Sequence, residues 1–381
     1  MPSPIFSLDL ATLRTRTSAK WVEYAADVIP AWVAEMDVLL APPVVTAMAH
    51  TFESGDTGYP RPGRYVSAFR GFAARHWGWD VAAEHVALTP DVMMGILILL
   101  LKVTDPGDTV VINDPVYPPF DSFPRLAGRE VARAALTPAG RLDLETLATA
   151  FGEATVGGRR AAYLLCNPHN PSGVVHTAAE LAAVAALAAQ AGVQVISDEV
   201  HAPLVYAGSH FQPYLTTAGV THGYAVHSAA KAFSLAGVKA GLVVSAAADA
   251  GTLAELAWGP GASLIGTIAH AAAWEEGDAW LAQLVGELEA NRDLVVRLLG
   301  ERLPQIGVTV PEGTYLMWLD CRALGFGDDP AAVFLDRGKV ALSSGLPFGP
   351  RGVGHCRLNF ATSPQILTEI VDRMAAAVER P

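Results

Sequence analysis

Lys231 lies in the run His227-Ser228-Ala229-Ala230-Lys231-Ala232-Phe233, a lone cation among small and apolar neighbours. An ammonium in such a setting is poorly solvated and its pKa falls, which leaves an amine able to act as nucleophile or base. Alone, the residue reads as an ordinary exposed lysine at a strand end. Three other loops change that reading. Asn167-Pro168-His169-Asn170-Pro171-Ser172-Gly173 follows the apolar run Ala161–Cys166, Asp198-Glu199-Val200-His201 follows residues 193–197, and Asp114-Pro115-Val116-Tyr117-Pro118-Pro119 follows residues 109–112.

These loops need a frame. From residue 86 the chain alternates short apolar runs with helical segments: 86–89 then 92–103, 109–112, 161–166 then 178–191, 193–197, 224–228 and 240–245. Apolar runs bounded by Gly, Pro and Asp and spaced by helices predict an α/β fold with a mostly parallel sheet covered on both faces. Thr177 and Glu180 have capping-box spacing, and Gly192 stands where a C-terminal cap belongs, which predicts a helix over 178–191. In such sheets ligands sit beyond the carboxyl ends of the strands. Residues 1–45 carry little helical periodicity and read as an extended arm with short elements. A long helical stretch over 281–302, strands near 308–310 and 315–319, and a last helix over 364–380 follow the sheet. A large domain over 46–280 and a smaller α/β domain from 1–45 plus 281–381 are expected.

Composition narrows the function. Of 381 residues 51% are hydrophobic and 17% charged, which excludes a disordered chain. A net charge of −12 argues against a nucleic-acid surface, which needs clustered Lys and Arg. Cys166, Cys321 and Cys356 form no CxxC pair, so neither a disulfide framework nor a metal site is expected. The first ten residues lack a charged segment followed by an apolar one, and the apolar run over 92–101 is about half the roughly 20 residues that span a bilayer. A cytoplasmic protein without membrane contact is the expectation.

An aldehyde-bearing pyridine cofactor needs an amine to hold it, a carboxylate to keep its ring nitrogen protonated, a flat ring to stack on and donors for its phosphate. Lys231, Asp198, Tyr117 and the start of the helix at Val92 supply one of each. The motifs NPHNPSG, SDEVH and SxxK, in this order, resemble the fold-type I pyridoxal 5'-phosphate enzymes of the class I/II aminotransferase superfamily. That resemblance implies a seven-stranded-type sheet in the large domain. Trp32-Val33-Ala34-Glu35-Met36-Asp37, the run from Asp198 to Tyr206, Phe233-Ser234-Leu235-Ala236-Gly237, Glu312-Gly313-Thr314-Tyr315-Leu316 and Arg357-Leu358-Asn359-Phe360-Ala361-Thr362 look like the MalY/PatB type of cystathionine β-lyase.

The resemblance implies roles residue by residue. Lys231 corresponds to the lysine that carries the cofactor as a Schiff base and then acts as general base at the substrate Cα. Asp198 corresponds to the carboxylate on the pyridine nitrogen, Asn170 to the donor on the phenolic oxygen and Tyr117 to the stacking ring. His201 stands where many aminotransferases have a tyrosine. The phosphate is expected at the backbone amides of Asp91, Val92 and Met93, the Ser228 hydroxyl and Lys239, with the Asp91 carboxylate turned away from it as a helix cap. Arg357 corresponds to the clamp on the substrate α-carboxylate. Tyr59 resembles a tyrosine that reaches the neighbouring subunit's cofactor, which implies a homodimer with a shared active site. Trp32, Tyr59 and Tyr315 are candidate walls for the substrate side chain. The implied activity is elimination of a thiol from L-cystathionine or another S-substituted cysteine, within methionine biosynthesis. Amino transfer and a regulatory binding role are the alternatives.

Overall fold

The alternation of apolar runs and helices resolves into two sheets and a short parallel pair in a computed structural model that describes residues 3–254 and 261–379. In chain order the strands are β1 (Ile29–Pro30), β2 (Val86–Thr89), β3 (Thr109–Asp114), β4 (Glu130–Ala135), β5 (Ala161–Cys166), β6 (Val193–Asp198), β7 (Tyr224–His227), β8 (Gly241–Ser245), β9 (Gly307–Val308), β10 (Leu316–Asp320), β11 (Val340–Ala341), β12 (Ser343–Ser344) and β13 (His355–Asn359). The large sheet has the order β2-β8-β7-β6-β5-β3-β4. Strands β7, β6, β5, β3 and β4 run parallel, and β8 is antiparallel to both its neighbours. This is the mostly parallel sheet that the pattern predicts, with the seven strands that the resemblance implies.

Strands β3, β5 and β6 are buried at every position except Gln194, as both-face coverage requires. One covering helix is Val92–Val103, which buries Val92, Ile96, Leu99, Leu100 and Val103. Side chains of this kind contribute roughly 1.5–3 kcal/mol each when fully buried. The helix Ala178–Ala191 has the predicted caps: Thr177 and Glu180 form a capping box, and Gly192 is left-handed at φ 69°. Strand β4 escapes the apolar pattern because it is an edge strand carrying Glu130 and Arg133.

The four-stranded sheet β12-β13-β10-β9 is wholly antiparallel. The N-terminal segment holds one-turn helices at Leu10–Leu13 and Ala19–Val22 and joins this C-terminal sheet region. β1 pairs in parallel with β11, and Asn359 donates its amide to Ala31 O at 2.9 Å. The last helix runs Pro364–Glu379, and Arg380, expected to end it, lies outside the described residues. Among the described residues no helix is long and apolar enough to cross a membrane.

Candidate active site

Each parallel strand ends at the same edge, and the loops that leave those ends converge on a cavity of about 360 Å³. β6 delivers Asp198 as its last residue, β5 is followed by Asn170, β3 by Tyr117, and β7 by Ser228 and Lys231. Arg357 comes from the middle of β13 in the smaller sheet, so the cavity is walled by both sheets. The loop after β5 closes tightly on residues 311–313. Gly173 has φ +72°, and a Cβ there would stand 2.6 Å from Pro311 Cβ, so only glycine permits the approach.

Burial pushes the Asp198 carboxyl up to about 7, against the opposing pull of the Val200 amide and of Lys231. Its Oδ1 accepts from Val200 N–H at 3.1 Å, the one hydrogen bond recorded for this carboxylate among the described residues. Lys231 is shifted the other way. Burial and the Arg357 charge bring its ammonium down to about 8, partly offset by Asp198. Its Nζ donates to Ala34 O at 3.0 Å. Beside them His201 is buried, with Nδ1 unpartnered among the described residues and its pKa held well below the ordinary imidazole value by burial.

Arg357 is 6% exposed and bonds neutral acceptors only: Asn170 Oδ1 at 3.0 Å, Trp32 O at 2.9 Å and Ser343 Oγ at 3.1 Å. Burial lowers its pKa to about 10, which leaves it charged at neutral pH. A buried guanidinium without a carboxylate partner is unfavourable by itself and fits an anionic ligand. Asn170 spends its carbonyl oxygen on this arginine, so its amide donor remains for another acceptor in the cavity.

The far end of the cavity is the first turn of the helix Val92–Val103. Asp91 caps that helix, with Oδ1 accepting from Met94 N–H at 2.9 Å, while Oδ2 pairs with Lys239 Nζ at 2.9 Å. The amides of Val92 and Met93 precede the capped one and face no carbonyl within the helix. Gly241 lets β8 lie against this turn, because a Cβ there would be 2.8 Å from the Asp91 carbonyl carbon. Ser228 borders the same end, with its hydroxyl donated to Ala240 O at 2.7 Å.

Most residues singled out in the sequence therefore line one cavity: Lys231, Asp198, Tyr117, Asn170, Val92, Met93, Ser228, Lys239, His201 and Arg357. Trp32 lines an adjoining chamber instead. Tyr315 is buried behind the wall, its hydroxyl donating to Ala34 O at 2.9 Å and its ring edge-on to His201. Tyr59 is 99% exposed and borders no cavity of its own chain among those described.

Sequence reasoning missed the backbone strap over residues 32–37. Arg357 holds Trp32 O, Asn359 holds Val33 O and Glu35 O, Lys231 and Tyr315 share Ala34 O, and Lys20 binds Glu35 O and the Asp37 carboxylate. The run WVAEMD was the available signal, but its working atoms are carbonyl oxygens, which side-chain types do not reveal.

The chain matches the family described as "Aminotransferase class I and II" over residues 33–374. It is 46% identical to a putative cystathionine beta-lyase of Mycobacterium tuberculosis H37Rv, with 99% of each chain covered. It is 34% identical to the cystathionine beta-lyase of Corynebacterium glutamicum, covering 97% of this chain and 99% of that one. Among solved structures it is similar to a putative PLP-dependent beta-cystathionase of Corynebacterium diphtheriae, with TM-score 0.92, 32% identity and 99% of both chains covered.

Proposed function

The chain belongs to the aminotransferase class I and II family, and we propose that within it the protein is a pyridoxal 5'-phosphate-dependent carbon-sulfur β-lyase. Its substrate is L-cystathionine or a related S-substituted L-cysteine, and its products are pyruvate, ammonia and a thiol, homocysteine in the case of cystathionine. Full-length similarity to proteins named cystathionine beta-lyase supports this reading. The observation that carries it is Arg357, a buried cation bonded only to neutral acceptors in the cavity that also holds Lys231.

The residues present fit the cofactor. Asp198 is a buried carboxyl with one oxygen left over for a pyridine N–H, and Asn170 retains its amide donor for the phenolic oxygen. Tyr117 offers a ring on the cavity wall, and the first-turn amides of Val92 and Met93 offer an anion site, with Lys239 adding charge. Lys231 is the amine that carries the cofactor. When bound, the protonated pyridine ring supplies the electron sink that makes loss of a substrate Cα proton accessible.

The protein's own groups then divide the work. Arg357 holds the α-carboxylate and so fixes which face of Cα meets Lys231. Lys231 Nζ, whose pKa burial and the Arg357 charge bring down to about 8, takes the Cα proton as general base in its neutral form. The Cβ-S bond breaks with its electron pair on sulfur, which leaves as a thiolate and gains a proton. Water completes the conversion of the remaining three-carbon amine to pyruvate and ammonia.

The proposal extends to assembly, domain organisation and cellular setting. The protein acts as a homodimer in which Tyr59, fully exposed on the loop before the helix Gly63–Trp77, enters the site of the neighbouring protomer. Residues 46–280 form the cofactor-binding domain, and 1–45 with 281–381 form the smaller domain that carries Arg357. The activity belongs to the cytoplasm and to methionine biosynthesis.

The test is incubation of purified holoenzyme with L-cystathionine and no keto-acid acceptor. Stoichiometric pyruvate and homocysteine are expected. Amino transfer to an added keto acid, without pyruvate release from cystathionine, would overturn the lyase reading.

A further inference from the structure

The hydrogen bonds recorded for Arg357 among the described residues all end on neutral acceptors, so its buried charge must be stabilised in another way. An aromatic ring stands where that stabilisation is needed. Arg357 Cζ lies over the ring of Phe348, 5.1 Å from its centroid. At this range the negative face of the ring attracts a cation, and the attraction grows where water is excluded. Water is excluded here: Phe348 is 3% exposed and Arg357 6%.

The ring is fixed from two directions. Phe348 ends the short helical turn Leu346–Phe348, in the loop between β12 and β13. Its carbonyl accepts from Val116 N–H at 3.0 Å. The next residue, Gly349, has φ +122° and lies against the Asp114 carboxylate, which leaves no room for a Cβ. The loop is thereby pinned to the end of β3. From the smaller sheet Trp318, which pairs with Arg357 across β10 and β13, packs on the Phe348 ring with centroids 5.2 Å apart. Trp318 is in turn stacked on His355, with the two planes 8° from parallel.

A ring and a carboxylate differ in what they leave free. A protein carboxylate would neutralise Arg357 by taking the N–H donors of the guanidinium fork, which are the donors that a ligand carboxylate needs. A ring attracts the charge through its π face and does not occupy the fork. Resting on the assignment of Arg357 to the substrate α-carboxylate, we propose that Phe348 is a positioning residue for that clamp, stabilising the guanidinium in the cavity while leaving donors to the substrate. Trp318 holds the ring in place. Loss of the ring weakens recognition of the carboxylate and not of the rest of the substrate.

Ring fluorination tests the charge on the ring with little change in its shape. Phe348→trifluorophenylalanine is made in the parent and in Arg357→Met, and the apoproteins are unfolded in urea. The unfolding constant is expected to rise roughly 5-fold with Arg357 in place and to stay within about 1.5-fold in Arg357→Met. In the holoenzyme, binding of L-norleucine and of pentylamine, read by cofactor absorbance, separates the carboxylate from the chain. Phe348→Leu is expected to lower the ratio of the two affinities roughly 5-fold, and Phe348→Tyr to keep it within about 2-fold of the parent. Equal losses for both ligands, or a fluorine effect that persists in Arg357→Met, overturn the proposal and leave Phe348 a packing residue. A parent with no preference for norleucine overturns the Arg357 assignment and the proposal with it. Neither ligand carries a leaving group, so absence of pyruvate release from L-cystathionine overturns the lyase reading alone. If Phe348→Leu fails to fold, the fluorinated pair decides.

Discussion

Arg357 Nη1 donates to Asn170 Oδ1 at 3.0 Å, joining residues 187 positions apart. The bond sets the amide of Asn170 with its N–H groups toward the cavity and holds the guanidinium in one plane. The group proposed to hold the substrate carboxylate and the group proposed to face the cofactor's phenolic oxygen are thus joined by one bond.

Arg357→Lys removes this coupling and the two-pronged grip on a carboxylate, while keeping a positive charge. We expect kcat/KM for L-cystathionine to fall roughly 100-fold, mostly through KM, because a lysine cannot reproduce the planar fork. Steady-state pyruvate release measures it. An effect below about threefold would mean that Arg357 does not hold the substrate carboxylate.

Lys231 is expected to react as a neutral amine at unusually low pH in the apoprotein. Burial and Arg357 bring its pKa to about 8, whereas an ordinary lysine titrates near ~10.4. Labelling with an amine-directed acylating reagent, read by peptide mass, should show Lys231 modified with a midpoint near pH 8. A midpoint above about 10 would contradict the site electrostatics.

Asp198 ties the stability of the apoprotein to pH. Its folded pKa is raised from 3.8 to about 7, so between those values the folded state holds a proton that the unfolded chain has released. Stability from this group is therefore fully present below the unfolded pKa and is lost as pH rises through the folded one. Asp198→Asn lacks this dependence. Urea denaturation of the apoproteins should show the variant gaining on the parent by a few kcal/mol between about pH 4 and pH 7. A gap that stays constant over that range would refute the assignment.

Asp91 places a carboxylate at the end of the cavity where the phosphate is proposed to sit. It binds Lys239 at 2.9 Å and puts a negative charge beside the amides of Val92 and Met93. Asparagine caps helices as well as aspartate does, so Asp91→Asn keeps the helix start while removing that charge and releasing Lys239. The dissociation constant for pyridoxal 5'-phosphate, read by cofactor absorbance, should fall roughly 3- to 10-fold at low salt, with a smaller change at high salt. Weaker binding in Asp91→Asn would show that the carboxylate supports the phosphate end instead of opposing it.

Much of the site was legible because its parts are local. Lys231, Asp198 and Asn170 each follow an apolar run closely, and the rule that ligands lie beyond the carboxyl ends of parallel strands brings them together without coordinates. The sheet was legible for a related reason: strands buried on both faces carry continuous apolar runs, as β3, β5 and β6 do. β4 was not, since an edge strand with Glu130 and Arg133 has no such pattern.

The sequence by itself determined the chemistry on offer: an amine, a carboxylate, an amide, a flat ring and a helix start, in an order that resembles a known family. Only the tertiary structure decided what surrounds them. The closure of residues 32–37 over Lys231 depends on carbonyl oxygens, identical in every residue type, and on the buried Lys20-Asp37 pair at 2.8 Å. Side-chain types and spacing report which groups can react. Burial and partners belong to contacts between distant segments, and those set the pKa of Lys231 and Asp198.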